Sequence, residues 1–311
     1  MREDHGGAGV MTNLKDVIDC LSRGLPDVSV TSLEPLGQGD FCVAFLLNGV
    51  WVVRKAKHDA AARALAREAC LLERIGPHLT VAVPRPRVLS TEGCDDVVLS
   101  IHALVEGEAL TRDRWLGLSS PSRSGLAGQV GAFLRGLHSI DRGEAGGCGL
   151  ERLDHEAFFG DLATRAEQMG DLPGTIREMV TSVLQRHSLR DLGWSGEAAL
   201  LNGDVSPEHV LFDRNEPRVS GVIDWGDAAL GDPARDLIFL YEDWGDDFFA
   251  SALDGYEAGA DPRFMARVYL HYFADQLSWT LEAAEEGRSD DVAVGAAGLG
   301  RASRDLEALG L

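Results

Sequence analysis

Leu201-Asn202-Gly203-Asp204-Val205-Ser206-Pro207-Glu208-His209-Val210-Leu211-Phe212-Asp213, followed closely by Gly221-Val222-Ile223-Asp224-Trp225-Gly226-Asp227, governs how the rest of the chain is read. A short apolar strand near Ala198 to Leu201 delivers Asp204 onto a loop, and His209 follows five positions later. A second apolar strand near Val219 to Ile223 delivers Asp224, fifteen positions beyond His209. Phosphoryl transfer needs such a supply: one carboxylate to meet an acceptor hydroxyl, and another with a further ligand to hold Mg²⁺ against nucleotide phosphates.

Upstream of this stretch the sequence reads as a sheet. Strand patterns run from Val28 to Leu36, Phe41 to Leu47 and Val50 to Val53, with Gly37-Gln38-Gly39-Asp40 and Asn48-Gly49 as turns. From Asp59 to Ile75 the apolar residues Ala62, Leu65, Ala66, Ala69, Leu72 and Ile75 recur at helical spacing, and Gly76-Pro77 ends the helix. Strand signals return at Pro86 to Leu89 and Val97 to Ile101, around a Gly93-Cys94-Asp95-Asp96 turn, and a short helix precedes the sheet near Leu14 to Leu21. After a connector at His102 to Gly107 helices dominate: Ser122 to Ile140, Glu156 to Met169 and Thr175 to His187, with a glycine-rich loop at 143–147. Beyond the two short strands, helices run to the end, beginning at Asp232-Pro233 with Asp as N-cap. The expected class is α+β in two lobes: residues 1–102 an antiparallel sheet with one internal helix, and residues 103–311 mainly helical.

With 311 residues, 45% of them hydrophobic, the chain can bury a large core. No run of about 18 apolar residues appears, and the start lacks a charged-then-apolar leader pattern, so a soluble cytoplasmic monomer is expected. Cys20, Cys42, Cys70, Cys94 and Cys148 are odd in number and scattered, and read as reduced thiols serving mostly as buried filler. The 29 basic and 50 acidic residues leave a net charge of −21. The excess is uneven, with 11 basic and 13 acidic residues up to His102 against 18 and 37 beyond it. Such a field repels nucleic acid and anionic membranes and draws in cations, although it also serves solubility alone.

The two quoted segments resemble the aminoglycoside phosphotransferase family, relatives of protein kinases that include macrolide and choline kinases. The family's His-Gly-Asp with a later Asn falls on Asn202-Gly203-Asp204 and His209, and its Ile-Asp-Trp metal segment on Ile223-Asp224-Trp225; the continuation Asp227 to Leu237 matches too. Asn202 stands where His is usual, which implies changed loop packing. His209 stands where Asn is usual, as in kinases acting at the 2″-position of aminoglycosides and in macrolide kinases. Imidazole suits Mg²⁺ less well than a carbonyl oxygen. The resemblance implies a two-lobed, protein-kinase-like fold. Asp204 would be the catalytic base or the group orienting the acceptor, His209 and Asp224 the metal ligands, and ATP or GTP the donor.

The same resemblance extends these roles to the first lobe. Gly37 and Gly39 would let the backbone approach the phosphates, although two glycines in a hairpin are also an ordinary turn. Arg54 or its rival Lys55 would grip the phosphates, only one of them facing the cleft, and Glu68 would anchor that cation. Backbone groups from Ile101 to Ala103 would read the base. For the acceptor, Glu242 and Asp243 are candidates beside Tyr241 and Trp244, because cationic sugars need carboxylates and aromatic faces. A charge run of this kind is more often a solvated helix face. The implied acceptor is a cationic small molecule, an aminoglycoside first, with a macrolide, a metabolite such as choline, or a catalytically silent binding role as alternatives.

Overall fold

Along Cys42–Leu47 (β2) the pleat sends Phe45 and Leu47 to one covered face and Cys42 to the other, against Ala61 and Leu65, so the first sheet is packed on both sides there. The computed structural model describes residues 14–89, 97–258 and 261–310. Around β2 stand β1 (Leu33–Gln38), β3 (Trp51–Ala56), β4 (Arg87–Leu89) and β5 (Leu99–Ala103), in the order β1-β2-β3-β5-β4 and antiparallel throughout. The turn between β2 and β3 places Asn48 at φ 53° and Gly49 at φ 72°, left-handed conformations that Asn and Gly adopt at low cost. One face of the sheet is covered by α1 (Leu14–Gly24), whose Val17 and Leu21 pack on Phe45, Val53 and Ile101. The expected Gly93–Asp96 turn lies outside the described residues.

α2 spans Asp59–Ile75, as its apolar spacing predicts, and His58 caps it by accepting the Ala61 N–H on Nδ1 at 3.2 Å. Its buried side carries Leu65, Leu72 and Ile75, together with one charged residue, Glu68. A border at His102 falls one residue before the end of β5.

The rest of the chain packs helices around one large core: α3 (Arg112–Leu116), α4 (Ser120–His138), α5 (His155–Gln168), α6 (Gly174–Leu184), α7 (Asp246–Tyr256), α8 (Pro262–Glu285) and α9 (Ser289–Ala308). α4 and α7 touch backbone to backbone, because a side chain at Gly131 would run into the Ala252 carbonyl. Five short strands complete this part: β7 (Ala199–Leu201) pairs with β10 (Ala229–Gly231), and β8 (Val210–Asp213) lies between β6 (Glu108–Ala109) and β9 (Arg218–Val222). The sequence suggested only two of these. Runs of two to four residues give too few alternations to register as strands. Asp232 does open a helical turn, but a 3₁₀ one, Pro233–Leu237. Among the described residues no helix is long and apolar enough to cross a membrane.

The expectation of reduced cysteines is overturned. Cys70 on α2 and Cys148 in the loop after α4 form a disulfide with Cα atoms 5.5 Å apart, and Cys20 is also disulfide-bonded. Cys42 is a buried free thiol. Linear spacing could not reveal the first pair, because folding closes a sequence separation of 78 residues.

Candidate active site

The two short sheets aim the quoted segment. β7 ends at Leu201 and hands the chain to Asn202, which is fully buried. Asn202 joins the two halves of the site: its side-chain amide donates to the Asp224 carbonyl at 3.1 Å, and its side-chain oxygen accepts the Asp204 N–H at 3.1 Å. The residue that departs from the family pattern therefore sets the spacing between the two aspartates. Gly203 follows at φ 90°, and a side chain there would strike the Asp227 carbonyl. Beneath this loop, Asp236 accepts the backbone N–H groups of Asn202 and Gly203, both at 2.9 Å, and a third bond at 3.0 Å from His138 Nε2.

Asp204, His209 and Asp224 come together. His209 Nδ1 lies 3.2 Å from Asp204 Oδ2, and Nε2 lies 3.8 Å from Asp224 Oδ2. Burial alone would lower the imidazole, but the bond and charge of Asp204, then the charge of Asp224, push its pKa up to about 9. In that protonated form His209 donates to Asp204, pairs with Asp224 through charge alone at 3.8 Å, and must lose a proton before it can ligate anything. Asp227 rises above the ordinary carboxylate range, first through burial and then through the charges of Asp204 and Asp224. Asp224 sits at φ 56°, a conformation that costs a non-glycine residue about 1 kcal/mol and that collects at functional sites.

From the first lobe, Arg54 reaches across. Its Nη1 holds both Glu68 carboxylate oxygens, at 2.8 and 2.6 Å, and its Nη2 stands 3.7 Å from Asp224 Oδ1. Burial opposes the guanidinium charge, but Glu68 and Asp224 outweigh it and raise the pKa. Strand alternation sends Lys55 to the other face, so Arg54 alone joins Gly37, Gly39 and Asp224 in lining a cavity of about 310 Å³. A side chain on Gly37 or Gly39 would meet nothing within 4 Å, and neither glycine has positive φ. Neither packing nor backbone conformation demands glycine there, which leaves room for a ligand to approach. Ile101 and Ala103 lie on β5; β4 begins opposite Ile101 and leaves Ala103 without a strand partner on that side, where its carbonyl meets His102 Nδ1 at 2.9 Å.

A second cavity of about 770 Å³ lies beside Asp204, walled by Phe41, Arg67, Glu151, Asp154, Phe158, Arg235 and Phe239 among others. Sequence reading missed these residues as a group, since they come from distant segments with no common motif. Glu242 and Asp243 do not line either cavity: they lie on the single π-helical turn Leu240–Trp244, and Glu242 accepts from Gln276 Nε2 at 2.9 Å. Among the described residues no three potential ligands form a ready-made metal centre. The half-exposed carboxylate of Asp224 nonetheless suits Mg²⁺, which takes one or two protein carboxylates and completes its shell with phosphates and water.

Residues 41–271 match the phosphotransferase enzyme family. An uncharacterized protein of Bacillus subtilis, YcbJ, is 26% identical over 258 residues, covering 79% of this chain and 81% of its own length. The GDP complex of an aminoglycoside 2′-phosphotransferase-IIIa is 25% identical and superposes with a TM-score of 0.82, over 94% of this chain and 99% of that one. A macrolide 2′-phosphotransferase of Brachybacterium faecium shares the fold at 24% identity, with a TM-score of 0.69 over 92% of this chain and 97% of its own.

Proposed function

Because the chain belongs to the phosphotransferase enzyme family, we propose that it moves the terminal phosphoryl group of ATP or GTP onto a hydroxyl of a cationic small molecule, as a cytoplasmic monomer. The observation that carries this reading is the convergence of Asp204, His209 and Asp224, with Asp204 on one cavity, Asp224 on another, and Arg54, held by Glu68, lining the second. The lobe up to His102 holds the donor, with Gly37 and Gly39 over its phosphates, Arg54 on its charge and the β5 edge at Ile101 and Ala103 against its base. The lobe from residue 103 carries the chemistry.

Asp204 orients the acceptor hydroxyl for attack in line with the terminal phosphorus. The acceptor oxygen forms the new P–O bond, the bond to the β,γ-bridging oxygen breaks, and the nucleoside diphosphate leaves. The hydroxyl proton passes to the Asp204 carboxylate and on to solvent. In a loose transition state little proton transfer is needed early, so positioning is the larger part of this work. Asp224 and His209 would hold Mg²⁺, which supplies neutralising charge on the phosphates. Arg54, kept in place by Glu68, adds fixed charge that needs no rearrangement during reaction.

An aminoglycoside is the acceptor to test first, given the neighbour that phosphorylates that class, and resistance would be the consequence. A macrolide is the second reading, favoured by the three phenylalanines Phe41, Phe158 and Phe239 in the wall beside Asp204. Incubating the protein with Mg²⁺, ATP or GTP and a panel of both classes, and measuring diphosphate release, tests the proposal. Acceptor-stimulated release supports it, and its absence across the panel contradicts it.

A further inference from the structure

The chain carries a net charge of −21, yet the cavity beside Asp204 is partly walled by arginines. Arg152 donates to the Gly196 carbonyl at 2.7 Å. Arg67 and Arg235 are different: both are half-buried, and among the described residues neither guanidinium has a hydrogen bond or an ion pair within 4.0 Å. A half-buried guanidinium with no hydrogen bond or ion pair is only partly compensated: the charge of Asp227, on the same cavity, acts on Arg235 from beyond ion-pair distance, and acidic side chains were not in short supply.

The scaffold holds both in place. Arg235 sits on the 3₁₀ turn between two buried carboxylates, Asp232, tied to Arg267 at 2.9 Å, and Asp236, tied to the Asn202 and Gly203 backbone. Arg67 precedes Glu68 on α2, and its stem runs against Gly149, next to Cys148 and so next to the disulfide to α2. On the same cavity Glu151 and Asp154 supply negative charge. A ligand that complements this wall must carry both signs.

Resting on the phosphotransferase reading and narrowing its acceptor, we propose that the acceptor bears an anionic group, a carboxylate or phosphate, in addition to its hydroxyl and its amine. Arg67 and Arg235 bind the anion, and Glu151 and Asp154 face the amine. An acceptor with amines alone satisfies half of the wall. Guanidinium forks suit carboxylate and phosphate equally, so the two sources are separated by the test.

The test measures diphosphate release by the full-length protein with Mg²⁺ and ATP or GTP over matched acceptors: hydroxylated amino acids and short peptides with a free carboxylate against their carboxamides, phosphate monoesters of amino alcohols against the unesterified compounds, and kanamycin as an amine-only control. The expected result is a preference of about tenfold or more in kcat/KM for the anionic member of a pair, a difference of about 1.4 kcal/mol. The pair that shows it identifies the anion. Arg67→Gln and Arg235→Gln should each raise KM for that member by about tenfold, with kcat little changed and the neutral member unaffected. Arg67→Lys and Arg235→Lys serve if a glutamine variant fails to fold, and the wild-type comparison needs no variant. Equal use of both members of every pair, or an anionic member turned over with the same KM in all variants, would overturn the proposal and leave the phosphotransferase reading standing. No stimulation by any compound, with Mg²⁺-dependent nucleotide binding intact, would overturn both.

Discussion

Asp204 and Asp224 lie within a few residues of strand ends, as Asp232 and Asp236 lie on the turn that follows, but the two pairs are held differently. The side chains of Asp232 and Asp236 are fully buried. Asp232 accepts from Arg267 at 2.9 Å, from His271 at 3.3 Å and from the Ala234 N–H at 3.1 Å, so its capacity is spent inside the protein. Burial would raise its pKa, but these donors hold it below the ordinary carboxylate range. Asp204 and Asp224 keep 28% and 43% of their side chains exposed, and among the described residues Asp224 has no ion-pair contact closer than 3.7 Å. In the proposed reading, identical chemistry thus divides into scaffold and working group according to whether the carboxylate is withdrawn from solvent or left facing it.

The largest expected contrast is in turnover. Asp204→Ala should fold and bind nucleotide but lose at least about 10³-fold in kcat, because the proposed mechanism gives Asp204 the task of orienting the acceptor hydroxyl. Single-turnover transfer alongside a melting curve checks this, and near-normal turnover would erase the distinction between the pairs. Asp236→Ala should do the reverse at first order. It strands two buried backbone N–H groups and His138 and should lower stability by about 3–5 kcal/mol, read by urea unfolding. A variant as stable as the parent would mean that Asp236 is not scaffold.

The wall between the lobes sharpens the contrast further. Opening the Cys70–Cys148 bond by Cys148→Ser should cost about 2–4 kcal/mol, since the bond closes a separation of 78 residues. A reducing cytoplasm would impose the same loss on the parent. Thiol titration of the native and denatured protein before and after a dithiol reductant, with unfolding curves, measures it.

The smallest effect is a slope. His155 donates nothing to Asp232 but accepts its N–H on Nε2 at 3.0 Å, and burial, helped by the neighbouring His271, lowers its pKa to about 3. The unfolded chain binds this proton below about pH 6.5 and the folded chain does not, so stability should fall by up to about 1.4 kcal/mol per pH unit between about 6.5 and 3. His155→Gln should flatten that limb of the stability profile, and an unchanged limb would place the proton elsewhere.

Much of this was legible in the residues themselves. Two aspartates and a histidine at fixed spacing near strand ends were enough to bring Asp204, His209 and Asp224 together, because short strands leave the chain little freedom between them. The family pattern favours Arg54 over its rival Lys55, but which of them faces α2 is a matter of strand register; the Glu68 contact shows that Arg54 does. The wall of the cavity beside Asp204 was illegible for a deeper reason. Arg67, Asp154 and Arg235 become neighbours only through tertiary packing, and no local pattern marks a side chain by the partner it lacks. The acidic run at Glu242 and Asp243 drew notice instead, although neither residue lines the cavity beside Asp204.

The account rests on Asp224 as the carboxylate that joins metal to nucleotide, and one titration reaches it directly. Nucleotide affinity is measured by calorimetry with and without Mg²⁺, for the parent and for Asp224→Ala. The account predicts that Mg²⁺ tightens binding by about tenfold or more in the parent, and that the gain disappears in the variant while its fold persists. An identical Mg²⁺ dependence in both proteins would contradict it.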